Sequence, residues 1–190
     1  VDVSNEDFGA TWSTRDAPLV EVGGITVDVP SPFEPGSWRR KVDPTQTFYS
    51  YAMNKYWETN YKASQEGPAM FHYSIRPHKK FDPAAATRFG IEQSQPLIAV
   101  PVDPAAPVRK SLLTVEPKEV LITSLKPSLD QKALIVRLFN AGDKPAAAKV
   151  SWSDPGPKQV TLSKVSETAG EAISGTIKLP PLGIATLRAE

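Results

Sequence analysis

The chain has 190 residues, 40% of them hydrophobic, with 22 Lys and Arg against 21 Asp and Glu. A net charge of +1 offers no basic surplus for nucleic acid or an anionic membrane, and no apolar run approaches the roughly 20 residues a membrane span needs. Cysteine is absent, which excludes disulfides, a thiolate nucleophile and Cys-ligated zinc. The 19 prolines cut the chain into short strands and turns and argue against long helices. The length suits one large β-domain with long loops. The chain begins at Val1 without an initiator Met or a signal-like segment, so it reads as a processed or excised piece. These features leave the compartment open.

In chain order, Val1 and Val3 alternate with Asp2 and Ser4, as in a strand, and Asn5-Glu6-Asp7-Phe8-Gly9 reads as a polar turn. Val20, Val22, Ile25, Val27 and Val29 carry strand content, broken by Gly23-Gly24 at a hairpin or bulge. Pro30, Pro32 and Pro35 mark an extended loop, and the basic run Arg39-Arg40-Lys41 reads as a solvated edge. Phe48 to Met53 is aromatic-rich and leads into the least ordinary stretch of the sequence.

That stretch runs from Asn54 to Pro68. It mixes Tyr56, Trp57 and Tyr61 with Asn54, Asn60, Thr59, Gln65, Glu58 and Glu66. Rings that stack on pyranose faces, beside amides that fork onto hydroxyls, suit a sugar-facing surface. The same residue types are also common at buried domain interfaces, where a ring is covered and its polar tip finds a partner.

Met70 to Arg76 alternates, with Phe71, Tyr73 and Ile75 on one face and His72, Ser74 and Arg76 on the other. His72 and His78 are the only histidines, and neither belongs to a zinc-ligand motif. A helix is predicted over 81–90, capped by Asp82, opened by Pro83 and ended by Gly90. Pro96 to Val108 reads as an edge strand and a loop. From Leu112 the pattern predicts seven short strands: Leu112–Val115, Val120–Leu125, Leu134–Phe139, Ala148–Ser153, Gln159–Leu162, Ser174–Leu179 and Ile184–Arg188. Leu134, Val136 and Leu138 form one inward set, and Val150 with Trp152 another. The expected class is all-β. The architecture is a large antiparallel β-sandwich across 1–190 with one short helix near 82–90. A smaller second sandwich, with a sub-boundary near 105–112, is the alternative division.

No catalytic set is visible. Nothing pairs a histidine with a nucleophile motif, and no phosphate-binding glycine loop or dinucleotide fingerprint occurs. Glu58 and Glu66 are the one carboxylate pair worth inspecting for acid–base work.

Four stretches together carry a resemblance. They are Asn54-Lys55-Tyr56-Trp57-Glu58-Thr59-Asn60-Tyr61 with Gln65-Glu66-Gly67-Pro68, then Phe71 to His78, Ser124 to Asn140, and Leu179-Pro180-Pro181-Leu182-Gly183-Ile184-Ala185-Thr186-Leu187. In order and spacing the chain resembles the C-terminal region of family-38 glycoside hydrolases, the retaining zinc-dependent α-mannosidases. The resemblance implies a non-catalytic β-domain. Its partner would be an N-terminal catalytic domain of the same parent chain, which holds the zinc, the nucleophile and the acid/base. No catalytic residue, metal ligand or cofactor is then expected within these residues. The candidates for the surface that meets the missing domain or a mannoside are Asn54, Tyr56, Trp57, Glu58, Thr59, Asn60 and Tyr61. To these the resemblance adds Asn5 and Asp7, in a turn ending at Gly9 that matches the family's short acidic turn facing the catalytic domain. Two other readings stand beside this one. One is an autonomous carbohydrate-binding module stacking sugars on Tyr56, Trp57 and Tyr61. The other is a self-contained glycosidase using Glu58 and Glu66.

Overall fold

The computed structural model describes residues 1–24, 41, 44–53, 62, 64–95, 97–105, 107 and 111–190. Its elements are β-strands throughout, apart from one helix, which agrees with the all-β class. The chain divides into two compact units. The first is Val1–Phe81 with Gln93–Gln95, and the second is Asp82–Glu92 with Pro96–Glu190.

In the first unit, β1 (Asp2–Ser4), β2 (Gly9–Thr14) and β5 (Tyr73–His78) form an antiparallel sheet in the order β1-β2-β5. Pro77 is tolerated because β5 is at the edge among the described strands, where a missing N–H breaks no ladder between them. A second pair joins β3 (Val20–Val22) to β4 (Phe48–Ser50). Gly23, at a φ of +96°, ends β3, and its N–H donates to the Thr47 carbonyl. Residues 25–30, which carry the rest of the valine-rich pattern, lie outside the described residues. Trp12 links the two sheets. Its ring stacks on Tyr73 at 5.3 Å and meets Phe48 edge-on at 5.2 Å.

The alternation along β5 is as read, but its polar side is the better covered one. Tyr73 and Ile75 are exposed, whereas Ser74 and His78 are half-buried. The reason lies across the ladder. His78 sits opposite Gly9, and the adjacent β1 and β2 bring Asp2 and Thr11 to the same face, where Thr11 and His78 both bond to the Asp2 carboxylate.

The second unit is a sandwich. One sheet takes β7 (Val120–Pro127), β8 (Leu134–Asn140), β13 (Ile184–Ala189), β10 (Val160–Ser163) and β11 (Ala169–Ala172), in the order β11-β10-β13-β8-β7. The other takes β6 (Leu113–Glu116), β9 (Ala146–Trp152) and β12 (Ile177–Leu179), in the order β12-β9-β6. All pairings are antiparallel. Leu113, Ala148, Ile177 and Leu179 from the three-stranded sheet meet Val120, Val136, Leu138 and Leu187 from the five-stranded one, and together they form the core. Val136 and Leu138 are wholly buried, as the inward set required, while Leu134 at the strand end is half-buried. Val150 and Trp152 pack against the same cluster.

The helix α1 (Pro83–Ser94) opens as predicted. The Asp82 carboxylate accepts from the Ala84 and Ala85 amides at 3.0 and 3.1 Å, and Pro83 occupies the first turn. These amides, the Ala85 bond foremost, hold the Asp82 carboxyl below its usual range. Gly90 does not end the helix, which runs one turn further. Ile91 lies beyond Gly90 and packs against the cluster of Ala84, Leu121 and Ala141, so burial of that side chain outweighs the weak helix propensity of glycine.

Candidate functional site

The residues from Asn54 to Tyr61, which carry most of the sequence-based candidates, lie outside the described residues: Asn54, Tyr56, Trp57, Glu58, Thr59, Asn60 and Tyr61. Just beyond them, Glu66 makes an exposed ion pair with Lys62 at 3.1 Å. Gly67 follows at a φ of +94°, a turn conformation suited to glycine.

Asn5 and Asp7 are described. They form the turn between β1 and β2. The Asn5 Oδ1 accepts from the amides of Asp7 and Phe8, both at 2.9 Å, and the Asn5 amide donates to the Phe8 carbonyl at 3.0 Å. This is an Asx turn, the local chemistry for which asparagine is favoured at such positions. Gly9 closes it, lying directly opposite Ser4 and His78.

Behind this turn lies a polar cluster that the sequence pattern does not announce. Asp2 Oδ2 accepts from Thr11 Oγ1 at 2.6 Å and sits 2.8 Å from His78 Nε2. Burial pushes the Asp2 carboxyl up, but hydrogen bonds from Thr11, His78 and Ser4 outweigh that and hold it below its usual range. At the other end of β5, His72 Nδ1 lies 2.8 Å from Asp16 Oδ2, which also accepts from the His72 backbone amide at 2.6 Å. That backbone bond, and then the ring bond, draw the Asp16 carboxyl down. Both histidines therefore have an orienting carboxylate, which the sequence did not reveal.

Neither pair is a nucleophile–base arrangement. The Thr11 hydroxyl donates to the carboxylate and not to the imidazole, so Asp2 is the hub of a clasp across three strands. Near His72, the Tyr73 hydroxyl pairs with Ser50 Oγ at 2.9 Å. The chemistry available here is strand fixation.

A second charged cluster closes one end of the sandwich in the second unit. Arg188, with 7% of its surface exposed, donates through Nη2 to Asp130 at 2.9 Å, through Nε to Glu190 at 2.6 Å, and through Nη1 to the Glu167 carbonyl at 3.1 Å. The buried Glu167 carboxylate pairs with Lys126 Nζ and accepts from the Leu129 amide at 2.8 Å. The Arg188 guanidinium, then Ser128 and the Lys132 amide, hold the Asp130 carboxyl far below its usual range. Lys126, then the Leu129 amide, lower the Glu167 carboxyl, and Asp130 with Glu190 raise the Arg188 guanidinium.

Most of the core strands, with Asp130 and Glu167 of this cluster, lie on a stretch that matches a known family. Residues 119–187 match the family model of the glycosyl hydrolases family 38 C-terminal beta sandwich domain. The match takes in β7 to β12 and most of β13, and so most of the sandwich core, while β6, Arg188 and Glu190 fall outside it. No curated protein matches the chain. Within the matched stretch, Asp130 and Glu167 are structural anchors. Among the described residues, no group of three or more His, Asp or Glu side chains converges as a metal site would require, and no helix is long and apolar enough to cross a membrane.

The anchors set an acid limit. The folded pKa values of Asp130 and Glu167 lie below their ordinary values of 3.8 and 4.5. Their contribution is therefore fully present above those ordinary values and is lost as pH falls from there toward the depressed folded values. The thermal midpoint of the second unit is expected to stay level near neutral pH and to drop once pH passes below about 4, with high salt blunting the effect because Asp130 is half exposed. Asp130→Asn is expected to flatten that drop. An acid limb of unchanged steepness in this variant would count against the assignment.

Proposed function

We propose that this chain is the non-catalytic C-terminal β-region of a glycoside hydrolase similar to the retaining zinc-dependent α-mannosidases. In this reading it buttresses an N-terminal catalytic domain of the same parent chain and contributes a wall of the mannoside site. The observation that carries the proposal is the match of residues 119–187 to the family 38 C-terminal sandwich domain. Support comes from His72, His78, Asp2, Asp16, Asp130 and Glu167, which are committed to strand clasps and a closing ion network. In this reading the zinc that would hold sugar hydroxyls belongs to the catalytic domain. The aromatic and amide residues from Asn54 to Tyr61, with the Asn5–Asp7 turn, are the proposed surface toward that domain and its sugar.

The test begins with the intact mass of the natural polypeptide in a source-cell lysate, detected with an antibody to these residues. A species several times larger than 20.7 kDa is expected. The parent chain should hydrolyse an aryl α-mannoside and lose that activity to a zinc chelator, whereas the 190-residue chain alone should show none. A natural species near 20.7 kDa would sink the proposal. So would mannoside hydrolysis by the isolated chain that is abolished by Glu58→Gln or Glu66→Gln.

A further inference from the structure

The two sheets of the sandwich are unequal. The five-stranded sheet continues past β13 with β10 and β11, while the three-stranded sheet stops at β12, whose outer edge pairs with no other described strand. Between that edge and the uncovered strands lies an open groove of about 960 Å³, lined among others by Leu162, Val165, Ile173, Ile177 and Ala185. Leu162 and Leu187 are cross-strand partners on the inner face of their sheet, yet Leu187 is wholly buried and Leu162 is 38% exposed. The difference is the missing cover of one strand.

The same unit carries a bare apolar segment. Leu97, Ile98, Val100 and Val102 are 100, 88, 69 and 76% exposed, in a run that belongs to no strand or helix. Contiguous exposed apolar residues of this kind mark an interaction surface. We propose that residues 97–102 of one copy add as a strand to the β12 edge of a second copy and fill its groove, and that reciprocal exchange closes a two-fold dimer.

Four features favour this occupant. Six extended residues span about 20 Å, enough to run past the whole of β12. In a strand, Ile98, Val100 and Val102 share one face and present a row of β-branched side chains to the apolar lining. Their amides also share one edge, so with that edge on β12 the missing Pro101 donor falls on the outer side, where it stops a further strand from adding. The charges are complementary as well. The groove carries Lys164 and Lys178 against Glu171, a surplus of one positive charge, and the segment from Gln95 to Ala105 carries only Asp103. The segment stands clear of its own groove, since Leu97 is fully exposed, and a second copy offers the same segment uncovered.

The 190-residue chain should sediment as a concentration-dependent monomer–dimer mixture. Val100→Asp on the segment and Val165→Glu on the groove, both at exposed positions, should each weaken the dimer about tenfold or more while circular dichroism stays unchanged. Because the chain has no cysteine, a Val100→Cys chain mixed with a Thr176→Cys chain should give a disulfide-linked heterodimer in preference to either homodimer. A monomer at every concentration would overturn the proposal, as would a dimer indifferent to both charged variants. A doubly substituted Val100→Cys, Thr176→Cys chain that closes an intrachain disulfide at high dilution would overturn it too, by showing that the segment fills its own groove. None of these outcomes depends on whether the chain has a mannosidase parent.

Discussion

Replacing Asn140 with alanine is expected to destabilise the second unit by about 2–4 kcal/mol, read as a lowered urea midpoint with an unchanged slope. Asn140 ends β8 with no exposed surface. Its Nδ2 donates to the Lys144 and Pro180 carbonyls at 2.8 and 2.9 Å and approaches Leu179 O at 3.4 Å, while its Oδ1 accepts from the Gly142 amide at 3.0 Å. One amide thus ties the β8–β9 turn to the β12–β13 turn. The backbone doubles the link, because the Asn140 amide donates to the Gly183 carbonyl at 2.9 Å. Alanine leaves three carbonyls and one amide short of a partner in a buried place, where such a loss costs more than the mean hydrogen bond. A change under about 0.5 kcal/mol would mean that water replaces the side chain and that the two turns are held by their backbones alone.

Asparagine at this position also shows what the sequence could and could not convey. The strands of the second unit were legible because apolar alternation and turn chemistry agree there. Leu134, Val136 and Leu138 alternate, and Pro180-Pro181-Leu182-Gly183 forces a turn before β13. The role of Asn140 was not legible, since its partners lie as far as forty residues away and a polar residue at a strand end looks like a solvated one. The strand β11, Ala169–Ala172, was missed for a different reason. Its sequence Ala-Gly-Glu-Ala has low strand propensity, and its conformation follows from pairing with β10, where a Cβ at Gly170 would lie 2.5 Å from Leu162 O.

The candidate site was less legible still. The Asn5 turn could be read because its chemistry is local. The clasps His72–Asp16 and His78–Asp2 could not, because they join residues 56 and 76 positions apart. The same limit hides Arg188, whose partner Asp130 lies 58 positions earlier. Periodicity identifies faces, but which charges meet across strands depends on strand order and register, and those are properties of the folded sheet. The stretch from Asn54 to Tyr61 remains a proposal resting on its residue types and its resemblance.

In the first unit, Gly9→Ala is expected to cost about 1–3 kcal/mol, the range for forcing an extra methyl into a filled site. A methyl at Gly9 would overlap the Ser4 Cβ and lie 2.9 Å from Ser4 Cα and 2.6 Å from His78 Cε1. Ser4 Cα and Cβ move only with β1, and the His78 ring turns aside only by giving up its contact with Asp2. Shifting β1 away also separates Asp2 from Thr11 and His78, and the pair Asp2–His78 is only 2.8 Å apart. Two readouts distinguish a local adjustment from loss of the clasp. Thermal unfolding gives the total cost, and the imidazole resonances of His78 report whether its carboxylate partner is still in place. Gly24→Ala is the control, because no described atom lies within 4 Å of its added methyl, and it should change stability by less than about 0.5 kcal/mol. If Gly9→Ala proves as mild as the control, β1 slides freely over β2. The Asp2 clasp then does not fix the Asn5–Asp7 turn, and that turn loses its claim to be a rigid surface for a partner domain.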